Sequence, residues 1–284
     1  MDRCTVLRRL IRSGRMVRVM GAHNGISAKL VERNGFDAVW ASSFEISASW
    51  GLPDASILTM TEFLDTARAM NDVIDLPIIA DCDSGFGDPT IVAHMVRKYE
   101  ATGIAAVCIE DKPFPKRNSF AAGEHQKLET IPEFVEKIRA GCDARKKDIV
   151  FVARTEAFIA GFGVEEALER AHAYADAGAD VVLVHSKSRT PAQVFDFARR
   201  WQARTPVIAI PTTYYQTTLD EFESAGIHIV IYANQAMRAA VQAMNQAMTR
   251  IHAAGSTMAI EKEIASIEEL FELQGMNDVR QVAR

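Results

Sequence analysis

Eight short runs rich in apolar and β-branched residues punctuate the 284-residue chain, at positions 17–22, 38–42, 77–83, 106–111, 150–155, 181–186, 207–211 and 229–233, with longer amphipathic segments between them. Most of these runs are continuously apolar rather than alternating, the pattern of strands buried on both faces in a parallel sheet. The intervening segments carry helical periodicity and stop at glycines suited to a left-handed C′ position: 165–177 at Gly178 and 26–34 at Gly35. Three helix–strand junctions read alike, Asn34-Gly35-Phe36-Asp37, Thr102-Gly103-Ile104-Ala105 and Ala177-Gly178-Ala179-Asp180. Such recurrence is expected when one βα unit is reused. The pattern predicts an α/β fold, a single (β/α)8 TIM-type barrel spanning residues 1–284. A doubly wound open sheet is the weaker alternative, because no glycine-rich dinucleotide fingerprint follows the first strand. After the eighth strand come a long helix at 235–253 and a further helical stretch near 266–273. The second exceeds what a minimal barrel needs, so 254–284 is expected to form a C-terminal helical extension.

Composition excludes several function classes. The net charge is −5 and the basic residues are scattered, which argues against nucleic acid as a partner. No apolar run reaches the ~18 residues of a membrane span, and the arginine-rich residues 1–16 have no apolar h-region, so no signal peptide is read. The cysteines Cys4, Cys82, Cys108 and Cys142 show neither CxxC nor Cys/His zinc spacing, and Cys82 and Cys108 lie in apolar runs where buried thiols are expected. The compartment reads as reducing and cytoplasmic.

In a barrel of this kind chemistry gathers where strands end at the C-terminal face, so polar residues there are informative. The third run ends Asp81-Cys82-Asp83-Ser84-Gly85-Phe86-Gly87. Two carboxylates at i and i+2 point the same way, and with Glu110 at the next strand end they suit a hard divalent cation such as Mg2+. The plainer reading of Asp81 and Asp83 is a helix N-cap and a solvated acid. Arg154 ends the fifth run, where it would grip a carboxylate or phosphoryl group in a planar two-pronged bond, or else close an internal salt bridge. His185 ends the sixth, facing phosphoryl oxygens or satisfying a neighbouring carboxylate; His23, at the first strand end, reads as structural. Ser42-Ser43-Phe44 offers hydroxyls and successive N–H groups to an anion. Asp54, in the Gly51-Leu52-Pro53-Asp54 turn, would reach over the mouth or act as an ordinary turn aspartate. The long connection from Asp111 to about Leu128 has the length of an active-site lid and holds Lys112, Lys116, Arg117, Asn118 and Ser119, though a solvated basic loop has the same composition.

Taken in order, Trp40-Ala41-Ser42-Ser43, Asp81-x-Asp83-x-Gly85-Phe86-Gly87, Glu110-Asp111-Lys112 followed by Asn118-Ser119, Ala153-Arg154 and His185-Ser186-Lys187 resemble the phosphoenolpyruvate mutase family of the isocitrate lyase superfamily. The resemblance runs from about residue 15 to residue 275. It implies a Mg2+-dependent isomerase that interconverts phosphoenolpyruvate and phosphonopyruvate in phosphonate metabolism. It also implies a homotetramer whose C-terminal helices are exchanged between protomers. Asp83 would hold the metal directly, with Asp81 and Glu110 acting largely through waters. Trp40, Ser42, Ser43, Phe44, Asp81, Arg154 and His185 would line the substrate. Asp54 matches the phosphoryl acceptor, and Lys116, Asn118 and Ser119 match lid residues that orient the moving group.

The chain departs from the family's pattern at Ser43 and Phe44, where mutases usually carry glycine and leucine. Glu45 and the Ile46-Ser47-Ala48-Ser49 run are closer to phosphonopyruvate hydrolase, a sister enzyme that passes the phosphoryl group to water. That enzyme has threonine where Asn118 stands here, which tips the reading towards mutase. The carbon–carbon lyases of the superfamily use a cysteine-bearing lid motif, and no cysteine occurs between Cys108 and Cys142. A non-catalytic protein binding a 2-oxo acid would not need the acids, the arginine and the lid residues together.

Overall fold

The computed structural model describes residues 2–121, 126–202 and 205–276. Its elements run α1 (Arg3–Arg12), β1 (Val17–Ala22), α2 (Gly25–Arg33), β2 (Ala38–Ala41), α3 (Ser43–Ser49), α4 (Met60–Asn71), β3 (Ile78–Asp81), α5 (Pro89–Ala101), β4 (Ala106–Glu110) and α6 (Ile131–Asp143). They continue with β5 (Val150–Thr155), α7 (Val164–Asp176), β6 (Val181–Val184), α8 (Ala192–Arg200), β7 (Val207–Ala209), α9 (Leu219–Ser224), β8 (Ile229–Tyr232), α10 (Gln235–Ala254) and α11 (Ile267–Gln274). The eight strands pair in sequence order, all parallel, and β8 returns to β1 to close the barrel. The expected (β/α)8 architecture is present.

Strand alternation sorts the barrel residues into two sets. Val19, Trp40, Ile79, Cys108, Val152, Leu183, Ile208 and Ile231 pack together in the interior cluster. Their neighbours Val39, Ala80, Val107, Ala153 and Val182 face the surrounding helices instead. Cys82 and Cys108 are buried and free, as the sequence predicts.

The three look-alike junctions are one motif. In each, the glycine has positive φ (Gly35 73°, Gly103 80°, Gly178 110°). The next residue's N–H reaches back five positions, Phe36 to Val31, Ile104 to Tyr99 and Ala179 to Tyr174, which is the Schellman closure. Gly226 makes a fourth, with Ile227 bonded to Phe222.

Several strands stop one or two residues before their apolar runs do. Ser42 leaves β2 to cap α3, accepting from the Glu45 N–H, Asp83 adopts φ 51° beyond β3, and Pro211, with no N–H to give, lies past β7. The sequence reading missed α1, whose Leu7 is fully buried with the barrel interior. The arginines of residues 1–16 belong to this helix: Arg8 pairs with Asp148 and Asp180, each at 2.9 Å.

Contacts within the chain divide it into two compact units, Met1–Asn234 and Gln235–Arg284. The second holds α10 and α11, with Arg250 bridging to Glu263 at 2.6 Å and Ser266 capping α11. Among the described residues no helix is long and apolar enough to cross a membrane.

Candidate active site

The inward-facing positions change character at the C-terminal ends of four consecutive strands. Ile79 is followed two residues on by Asp81 and then Asp83, Cys108 by Glu110, Val152 by Arg154 and Glu156, and Leu183 by His185. Every one of these polar side chains is buried. On the β7 and β8 side Ile210, Ile231 and Ala233 are apolar, while the buried Glu45 lies beside Gly21 of β1. There the backbone itself closes in: a Cβ on Gly21 would lie 2.5 Å from the Ala233 carbonyl oxygen.

Two clusters make up the charged half. In the first, Ser43 Oγ donates to Asp81 Oδ2 at 2.8 Å and accepts from Lys116 Nζ at 3.0 Å. Lys116 Nζ also lies 2.6 Å from Asp83 Oδ1 and 2.9 Å from Asp54 Oδ1. Both are close ion pairs, but the two oxygens accept no hydrogen bond of good geometry. Asn118 Nδ2 donates to Asp54 Oδ2 at 2.7 Å, and Ser56 Oγ accepts from the Lys116 backbone N–H at 3.0 Å. Asp54 is therefore neither a helix cap nor a solvated turn residue; the cap of α4 is Thr59. Likewise Asp88, not Asp81 or Asp83, caps α5.

The second cluster turns on Glu156. Its Oε1 takes Arg154 Nε at 2.7 Å and lies 2.8 Å from His185 Nδ1, while Oε2 pairs with Lys112 Nζ at 2.9 Å and accepts from Ser119 Oγ. Arg154 Nε also lies 3.3 Å from Glu110 Oε2, its cross-strand neighbour in register. Glu110 Oε1 accepts no hydrogen bond, its nearest cation being Lys112 Nζ at 3.7 Å. His185 Nδ1 is 2.8 Å from Arg154 Nη2 as well. A proton on Nδ1 serves Glu156; a proton on Nε2 lets Nδ1 accept from Arg154 and gives the cavity an N–H, and Nε2 is buried without a partner. Phe120 from the 111–128 loop meets the His185 ring edge-on at 5.7 Å.

The electrostatics follow from burial and proximity. Burial pushes the Asp83 carboxyl up to about 7, with Asp54 and Asp81 adding to the push and Lys116 opposing it. Burial also raises Asp81. For Asp54 burial is overcome by Lys116 and Asn118, and its carboxyl is held below the usual range. Glu156 is held well below it, because Arg154, His185 and Lys112 outweigh its burial. Burial moves His185 down, favouring the neutral ring. Counted together, five carboxylates (Asp54, Asp81, Asp83, Glu110, Glu156) share this cavity with three permanent cations (Lys112, Lys116, Arg154), an excess of two negative charges when all are ionised.

The residues singled out in the sequence come together, with refinements. Lys116 reaches Asp83 and Asp54, Asn118 reaches Asp54 and Ser119 reaches Glu156, although residues 122–125 of the same loop lie outside the described set. Trp40 is buried in the barrel interior, two strand positions before Ser42. The Ser42 hydroxyl is committed to capping α3, and Phe44 is 41 % exposed. His23 sits 3.4 Å from the buried Glu45. Sequence reasoning missed Glu156 and Ser56. For Glu156 the signal was present, an acid at i+2 from a strand-end arginine. Asp111, one residue from Glu110, faces the other way: it accepts from Tyr174 at 2.7 Å, Thr155 at 3.0 Å and the Glu156 N–H at 2.8 Å.

The profile of the phosphoenolpyruvate phosphomutase family matches residues 7–252. Phosphoenolpyruvate phosphomutase of Tetrahymena pyriformis is 43 % identical over 278 residues, covering 98 % of this chain and 93 % of that protein. The crystal structure of a phosphoenolpyruvate phosphomutase from Streptomyces platensis subsp. rosaceus superposes with a TM-score of 0.96 at 49 % identity, covering 98 % of this chain and 97 % of that one. A phosphonopyruvate hydrolase crystallised with oxalate and Mg2+ superposes with a TM-score of 0.94 at 41 % identity, covering 99 % and 98 %.

Proposed function

The chain belongs to the phosphoenolpyruvate phosphomutase family, and from that premise we propose that it interconverts phosphoenolpyruvate and phosphonopyruvate, with Mg2+ as its cofactor. The observation that carries this reading is the pair of loop residues on one acid: Lys116 at 2.9 Å and Asn118 at 2.7 Å both engage Asp54, opposite Asp83.

The donor set fits a divalent metal. Asp83 Oδ1 and Glu110 Oε1 are buried carboxylate oxygens without a hydrogen bond, and the cavity's charge excess equals that of one such ion. Among the described residues no three His, Cys, Asp or Glu side chains converge closely enough to hold an ion by themselves. Mg2+ keeps several waters; Asp83 would bind it directly, and Asp81 and Glu110 through water. When bound, the metal supplies charge stabilisation for the enolate that appears as the carbon–phosphorus bond breaks.

The chain's own residues then do the rest. Ser43 and the Phe44 N–H hold the carboxylate and oxo group over the Trp40 floor, and Arg154, fixed by Glu156, grips the substrate. Asp54, kept ionised, accepts the phosphoryl group from carbon while the bonding pair stays on the substrate as the enolate. The enolate oxygen next attacks phosphorus and Asp54 departs, giving phosphoenolpyruvate. Lys116, Asn118, Ser119 and the His185 Nε2–H surround the group in flight, where positioning and charge neutralisation are the main catalytic terms. The loop keeps water out.

Phosphonopyruvate hydrolase is the second reading, favoured by Glu45 and the Ile46-Ser47-Ala48-Ser49 run; Asn118 stands against it. Lyase chemistry has no agent, since the loop carries no cysteine. The assembly we propose is a homotetramer with exchanged C-terminal helices. It is supported by Val241, Met244 and Met248, which expose 53, 53 and 62 % at near-helical spacing along α10. Four free cysteines support a cytoplasmic setting.

The test is phosphorus NMR of phosphonopyruvate incubated with protein and Mg2+, beside a metal-free control. A phosphoenolpyruvate resonance is expected. Inorganic phosphate alone would make the protein a hydrolase, and an unchanged spectrum would remove both activities.

A further inference from the structure

Resting on the reading that Asp83 holds the divalent cation, we propose that Lys137, on α6 outside the barrel, is a positioning residue for that acid. Its ammonium holds the Ser84 carbonyl and so fixes the left-handed turn from which the Asp83 carboxylate projects. The turn needs holding. Asp83, Gly85 and Phe86 have φ of 51°, 88° and 62°, so three of four consecutive residues are left-handed, and two of them carry a side chain. Such a backbone is costly at any residue other than glycine and persists only where the surroundings impose it. Gly85 has no alternative, since a Cβ there would meet Val92 Cγ2 at 2.5 Å. The Phe86 ring is packed against Phe63, with centroids 5.8 Å apart.

Three successive carbonyls show how the turn is held. The Cys82 carbonyl accepts from the Gly85 N–H and the Asp83 carbonyl from the Glu110 N–H, each at 2.8 Å and each from a backbone donor. The Ser84 carbonyl accepts from a side chain instead, Lys137 Nζ at 3.1 Å. Ser84 exposes none of its surface, so an unmet carbonyl there would bear its full desolvation cost. Lys137 is itself buried to 5 % exposure, and its Nζ pairs with Glu129 Oε1 at 2.6 Å. A buried ion pair is weak evidence for stability by itself, and a pair would need the glutamate alone. The bond to Ser84 gives the ammonium a second direction and ties α6 to the residue that follows Asp83. Charge and position then make opposite demands. An ammonium bonded one residue from Asp83 repels a cation arriving there, so on charge alone its loss would tighten metal binding. If the lysine holds the turn, its loss lets Asp83 move from its place, and binding weakens.

The sign is read without turnover, from the Mn2+ affinity of the substrate-free protein by electron paramagnetic resonance, with the thermal midpoint measured alongside. Lys137→Met keeps the buried stem and loses the ammonium. Glu129→Gln breaks the same ion pair but leaves the lysine its bond to Ser84. Both should lower the midpoint. Lys137→Met should weaken Mn2+ roughly tenfold, the lower end of what losing an outer partner of a metal ligand costs, while Glu129→Gln stays within about twofold of wild type. Lys137→Gln retains a shorter donor and keeps the test open should the methionine variant not fold; about threefold weakening is expected there, the worth of one hydrogen bond. Unchanged or tighter binding in the Lys137 variants overturns the proposal. Equal weakening in Glu129→Gln also overturns it, because the ion pair would then be a plain support of the fold. If Mn2+ fails to bind wild type, the cofactor reading falls and this proposal with it; if wild type and Lys137→Met bind Mn2+ alike, this proposal alone falls.

Discussion

Glu156 exposes none of its surface and holds Arg154, His185, Lys112 and Ser119 at once. A side chain so placed sets the position of others, and removing one partner of a buried ion pair typically costs ~3–5 kcal/mol. Glu156→Gln keeps the shape and loses the charge. It should lower the thermal midpoint and reduce kcat/KM at least ~100-fold through misplacement of Arg154, as expected when a positioning group shifts by an ångström; an unchanged kcat/KM would make the residue merely structural. Asn118→Thr removes the amide that donates to Asp54 at 2.7 Å. The ratio of inorganic phosphate to phosphoenolpyruvate, read by phosphorus NMR, should rise, and a constant ratio would show that Asn118 does not govern partition. Asp81, Asp83, Glu110 and Arg154 were legible in the sequence because strand ends announce themselves, whereas Glu156 was passed over as the residue after the strand. Ser56 was not, because its role depends on a loop some sixty residues away folding onto it, with Lys116 N 3.0 Å from its hydroxyl, and no local pattern encodes that.

At the level of elements, the barrel is closed by β8 against β1, and Gly21 on β1 and His228 just before β8 test how tightly its strands are joined. Gly21 lies against Ala233, so that a Cβ would come within 2.5 Å of the carbonyl oxygen. Gly21→Ala should destabilise the protein by ~1–3 kcal/mol, the usual range for overpacking, measured as a drop in denaturant midpoint. At the opposite end His228 Nδ1 accepts the Val207 N–H at 3.2 Å, joining the starts of β7 and β8. Its pKa is lowered by burial. A base whose folded pKa is depressed contributes stability above its unfolded pKa, ~6.5, and loses it as pH falls through the folded value. Wild type should therefore lose more stability than His228→Asn between pH 8 and pH 5, asparagine keeping an acceptor without a titration; parallel losses would refute this. All eight strands were readable because continuous apolarity marks them. The short helix α3 of the β2–β3 connection was not, because it has just seven residues and its sequence, Ser-Phe-Glu-Ile-Ser-Ala-Ser, carries too few turns to show a period.

At the scale of the whole molecule, the charged half of the mouth is short of two positive charges, and folding has to bear that. Protonation of Asp83, whose carboxyl sits at about 7, relieves part of it. A bound dication relieves it more fully, and ligand linkage predicts ~2.7 kcal/mol of stabilisation at a hundredfold excess over Kd. Mg2+ should raise the thermal midpoint of the wild-type protein by several degrees and leave Asp83→Asn nearly unmoved; an equal rise in both would place the ion elsewhere. The alternation of strand residues has a further consequence for how this protein can change over time. Glu110, Asp111 and Lys112 stand side by side in the chain, yet Glu110 and Lys112 look into the cavity while Asp111 is bound to Tyr174 and Thr155 in the shell outside it. Selection for new chemistry and selection for a sound scaffold thus act on neighbouring codons, and a library that randomises all three together would spend most of its members on broken frames. Varying the inward residues alone keeps the scaffold and explores the reaction.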